Sequence, residues 1–118
     1  MSVRVYVPTT LAGLAAFHAA GEVPAGTDHV EPEGDDEDSE YDALMTAAAA
    51  SAELAPPDGR RVVLVAEVPE PGAAVPMRLV VSVHSDTEDR PAGADPEDDL
   101  AWFATQEIPD LIGGVGGG

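Results

Sequence analysis

The chain has no cysteine and no lysine. The first absence excludes disulfides, thiolate metal sites and a cysteine nucleophile. The second leaves five arginines against 23 Asp and Glu, a formal net charge of −18 at pH 7. Bare nucleic acid and anionic membrane surfaces repel such a chain, whereas a basic protein or a divalent cation is attracted. Aromatics are scarce: one Trp, two Tyr and two Phe in 118 residues. No apolar run reaches the roughly 18 residues that a transmembrane helix needs. Leu11 to Ala20 is mostly apolar and follows Arg4, but Pro8-Thr9-Thr10 stands where a signal peptide is continuous. A cytoplasmic protein is expected, with no membrane association.

What remains is enough for one domain. Leu, Ile, Val and Phe supply 26 of the 118 residues, against 20 Ala. That share lies just above the roughly 20% below which a highly charged chain is disordered. At about 25 cal/mol per Å² of buried apolar surface, the composition predicts a marginal domain with mobile segments.

Residues 2–7 alternate, with Val3, Val5 and Val7 on one face and Arg4 and Tyr6 on the other, which predicts a half-buried strand. Thr9 or Thr10 caps a following helix that carries Leu11, Leu14, Ala15 and His18 on one face and ends at Gly21. Glu31 to Glu40 holds seven acids in ten residues, so 22–39 reads as a mobile acidic loop. Ser39 and Asp42 resemble a capping box opening a second helix, with Tyr41, Leu44, Met45, Ala48 and Ala52 as its stripe. Pro56-Pro57-Asp58-Gly59 turns the chain.

Residues 61–68 form a β-branched run expected in a central strand, and 77–84 a second strand with Met77, Leu79, Val81 and Val83 on one face. Together they read as an antiparallel hairpin. Residues 85–94 read as loop. Asp95-Pro96-Glu97-Asp98 starts a last helix that runs to about Glu107 and is stopped by Pro109. The expected fold is α+β: a three-stranded antiparallel sheet with about three helices on one face, in the order β-α-α-β-β-α. Residues 1–112 make the domain and 113–118 a disordered Gly-rich tail.

Four blocks carry a resemblance. They are Val3-Arg4-Val5-Tyr6-Val7-Pro8-Thr9-Thr10-Leu11, Glu40-Tyr41-Asp42-Ala43-Leu44-Met45-Thr46-Ala47-Ala48, Arg60-Arg61-Val62-Val63 leading to Val68-Pro69, and Trp102-Phe103-Ala104-Thr105-Gln106-Glu107-Ile108-Pro109-Asp110-Leu111. In these the chain resembles a family of small, acidic actinobacterial proteins of unknown function, as a shortened member. The resemblance implies no activity and carries over no catalytic residue.

The residues themselves offer little chemistry. His18, His29 and His84 with nearby acids are zinc ligands in kind, but their spacing is irregular and no His-Glu-x-x-His occurs. Asp36, Asp38 and Glu40 alternate as in an EF-hand, yet Tyr41 stands where the loop requires Gly. Ser82, His84, Ser85 and Asp86 lie close in sequence without a nucleophile elbow. No phosphate-binding loop is present. No catalytic, cofactor-binding or metal residue is therefore assigned, and no cofactor is expected.

The closing segment is the stronger lead. As a helix it puts Leu100, Phe103, Ala104, Ile108 and Leu111 on the buried face and Trp102 and Gln106 on the other. Trp102 either packs against a loop or the first helix, or anchors a partner surface with Gln106 and Glu107. The expected function is non-catalytic protein–protein interaction, with a basic partner favoured by charge. Two alternatives are a metal-dependent enzyme or binder using His18, His84 and acids, and an acidic nucleic-acid mimic occupying a basic protein. Oligomeric state is not legible.

Overall fold

A computed structural model describes residues 2–55, 59–88, 95 and 98–113. In chain order the elements are β1 (Val3–Thr9), α1 (Leu11–Ala20), β2 (Glu22–Val23), α2 (Glu37–Leu54), β3 (Val62–Val68), β4 (Val75–Pro76), β5 (Val80–Ser85), β6 (Ala101–Ala104) and α3 (Ile108–Ile112). Short 3-10 turns at Met77–Leu79 and Thr105–Glu107 precede β5 and α3. The main sheet has four strands in the order β1-β3-β5-β6, every neighbouring pair antiparallel. β2 and β4 form a separate two-stranded ribbon.

The β-branched run of β3 occupies the interior of the sheet and is buried on both faces. Alternation sends its side chains to two cores. Val62, Leu64, Ala66 and Val68 join Val5, Val7 and Val83 with Leu14 of α1 and Ile108 of α3. Val63 and Val65 join Tyr6 with Ala43, Ala47 and Ala48 of α2. Helices thus cover both faces, not one: α1, α3 and the ribbon on the first, α2 on the second. Tyr6, 4% exposed, lies under α2, so β1 is buried on both sides rather than half-buried.

The closing segment departs most from expectation. Ala101–Ala104 is a strand, the fourth of the sheet, where a helix was expected from Asp95 to Glu107. Pro96 and Glu97 of the expected helix start lie outside the described residues. The physical reason is alternation: Phe103 enters the core beside Ile108, whereas Leu100 joins the opposite core beside α2. The true helical stripe is Ile108, Leu111 and Ile112, and Pro109 stands in the first turn of α3 instead of ending a helix.

Other elements follow the sequence more closely. The Thr10 hydroxyl accepts the Gly13 N–H at 3.0 Å, and Gly21 closes α1 at φ 80° while donating to the Phe17 carbonyl at 2.9 Å. α2 begins earlier than expected because Asp36 is its cap, accepting the Ser39 N–H at 3.1 Å. The stretch 22–39 therefore contributes β2, the first turn of α2 and an antiparallel bridge in which the Tyr6 N–H donates to the Val30 carbonyl at 2.9 Å. The hairpin of β3 and β5 is present, but the 3-10 turn and a register shift at Val65/Ala66 change its phase. Val80 and Val83 are buried, and Val81 faces outward. Of the Gly-rich tail only Gly113 is described.

Candidate functional site

On the α2 side the helix packs over β1 and β3. The face of β5 and β6 beside it is left partly open. Cross-strand register puts His84 opposite Trp102 and Ser82 opposite Ala104, continuing to Val63 and Val65 of β3. Directly opposed residues share a face. A groove of about 290 Å³ lies there, lined by Tyr6, Tyr41, Leu44, Ser82, His84 and Trp102 among others. Arg4 and Glu40 stand at one end. Trp102 is 61% exposed and Tyr41 48%, while Tyr6 forms part of the floor.

The polar groups of the groove are mutually engaged. Arg4 donates to the Glu40 carboxylate at 2.7 Å and to Glu67 at 3.3 Å. Burial opposes the Arg4 charge, but the bond with Tyr6 and the negative charges of Glu40 and Glu67 outweigh it and raise its pKa. Burial, which outweighs the Arg4 contact, raises the Tyr6 pKa and keeps the phenol protonated. Burial also lowers the His84 pKa, so its imidazole is held neutral at pH 7. The Tyr41 hydroxyl reaches Asp99 at 3.3 Å. A second, more polar groove of about 420 Å³ adjoins at Arg4 and Glu40 and is bordered by Glu33, Asp35 and Glu67.

The three residues singled out in the closing segment separate. Trp102 lines the groove; Gln106 and Glu107 are exposed in the 3-10 turn beyond it and do not line it. The Glu107 carboxylate accepts the Ala104 N–H at 2.7 Å. That N–H points away from β5, so Glu107 occupies one position on the outer edge of β6 where a further strand would hydrogen-bond.

His18 lies exposed on α1, His29 contacts Glu31 at 3.1 Å, and His84 lies across the sheet from α1. Among the described residues, no group of three or more His, Asp or Glu could hold a metal ion. Ser82 and His84 share the groove face, but Ser85 is buried and its hydroxyl donates to the Asp86 carbonyl at 2.9 Å. The Asp86 carboxylate is bound by Arg61 at 2.8 Å, so no hydrolytic triad is assembled from these residues.

Sequence reasoning missed Tyr41 as a groove residue by placing it on the buried stripe of α2. It saw that Arg4 and Tyr6 share a face. The face itself became visible only once β5 and β6 were set beside α2. Neither any curated protein nor any solved structure matches the chain. A profile of a family of unknown function, DUF6912, matches residues 3–112. That span contains every strand and helix described above and the whole of the groove, and the chain belongs to this family.

Proposed function

We propose that the chain is a non-catalytic binding module that recognises a protein partner through the groove between α2 and β5/β6. The observation that carries this reading is the position of Trp102. A chain with one Trp holds it 61% exposed beside a groove, while smaller apolar side chains fill both cores. Exposed aromatic anchors at a concave surface are a common origin of interface affinity. The groove is small and already formed, with its floor fixed by the buried Tyr6 and Val65. Arg4, Glu40 and Tyr41 along the groove are each engaged with another side chain of the protein.

A photoreactive residue at Leu44, on the groove wall, tests the reading against the same residue at Glu53, exposed on α2 outside the groove. The expected result is cross-linking to a defined protein from position 44 and not from position 53. Equal labelling from both positions, or labelling from 53 alone, contradicts it.

A further inference from the structure

Resting on the reading of the groove as a docking surface, we infer that it seats a cationic side chain, arginine or lysine, of a basic segment of the partner. The aromatic residues of the chain divide by chemistry. Both tyrosines and the only tryptophan line the groove, whereas Phe17 and Phe103 pack against the opposite core. Tyr and Trp rings attract a cation over their faces, and Trp does so best. The acidic side chain in this groove is Glu40, and Asp99 lies at the Tyr41 hydroxyl. Arg4, the one arginine lining it, is bound to two carboxylates, and His84 is neutral.

Charge extends the match beyond the rings. The adjoining groove shares Arg4 and Glu40 and adds Glu33, Asp35 and Glu67, so a segment with several basic residues meets carboxylates along its length. The net charge of −18 steers such a segment inward and repels a second copy of this chain or a nucleic acid. A basic protein segment is the occupant to which these features commit.

The test uses the single tryptophan as reporter, read by fluorescence and by its indole N–H resonance, in the intact chain. The probes are a short peptide with three arginines, the same peptide with citrulline, and tetramethylammonium. The arginine peptide is expected to give a saturable change at Trp102 with shifts at Tyr6 and Tyr41, and the citrulline peptide to bind at least tenfold more weakly. Tyr41→Leu, at an exposed position, is expected to weaken the arginine peptide by roughly threefold to thirtyfold, the span of a cation–π contact. Glu40→Gln is expected to weaken it further at low salt.

Equal binding of the arginine and citrulline peptides overturns the inference, as does a response that bypasses Trp102. Saturation by tetramethylammonium as tight as by the peptide overturns the assignment to a protein segment. If the cross-link from position 44 persists while the arginine peptide fails, the cationic side chain is wrong and the docking surface stands. If both fail, the docking surface falls too.

Discussion

At the residue scale, the most consequential side chain away from the groove is Arg61. It is 1% exposed, and it binds both Asp86 oxygens, at 3.0 Å through Nε and 2.8 Å through Nη2, and the Asp98 carbonyl at 2.8 Å. These bonds tie the start of β3 to the end of β5 and to the approach to β6. Asp86→Ala removes the carboxylate from a buried ion pair, and breaking such a pair costs about 3–5 kcal/mol. Urea denaturation is expected to show a loss of that size. Ser51 does similar work without charge, donating to the Thr9 carbonyl at 2.6 Å and accepting the Val62 N–H at 2.7 Å. Neither role is legible in sequence, because partners far apart in the chain carry no local signal. Arg61 reads there as part of a Val-rich strand, and Ser51 as an ordinary helical serine.

His84 gives a pH dependence with a definite sign. Its folded pKa is lowered by burial from 6.5, so as pH falls the unfolded chain takes up its proton first. The stabilisation is complete above pH 6.5 and declines as pH drops below it towards the folded pKa. The unfolding free energy of the wild type is expected to fall more between pH 7.5 and 5.5 than that of His84→Gln. Parallel declines in the two proteins contradict the assignment.

At the scale of elements, β1, α1, the β3–β5 pair and the body of α2 were legible, because each has a local period or cap. The burial stripe of α2 was legible only in part, through Ala48, which is buried, and Leu44, which packs against the same core. Ala43, Ala47, Ala48 and Ser51 face the sheet, and Tyr41 turns to the groove. Periodicity favours the larger side chains as the inward ones, but small ones let the helix approach β1 and β3 closely. The closing segment failed for a related reason. Leu100, Phe103, Ile108 and Leu111 satisfy a helical spacing, and the pairing of Ala101–Ala104 with β5 is what makes the first part a strand. The groove was illegible for the same cause, since β6 forms one side of it. Ile108, 1% exposed between α3 and the sheet, is the better core residue of this stretch. Ile108→Ala is expected to cost about 2–5 kcal/mol in denaturation, whereas Trp102→Ala, at an exposed site, costs less than about 1 kcal/mol. The reverse order contradicts the placement of β6.

At the scale of the whole molecule, charge dominates. The chain carries −18 on a body 39 × 31 × 23 Å across. At about 0.01 M salt the screening length is about 30 Å, so carboxylates repel one another across the protein, and at about 0.15 M it contracts to about 8 Å. The thermal midpoint is expected to rise over that range. The same change weakens attraction to a basic partner, so stability and binding move in opposite directions with salt. Among the described residues no helix is long and apolar enough to cross a membrane. The proposed recognition draws on the net negative charge and on the aromatic groove.

The most direct test of the groove as a recognition surface is the affinity of Trp102→Ala for the protein cross-linked from position 44, measured beside its unfolding free energy. The expected result is an affinity loss of about tenfold or more, typical of an aromatic anchor, with stability within about 1 kcal/mol of wild type. An unchanged affinity, or a variant that fails to fold, contradicts it.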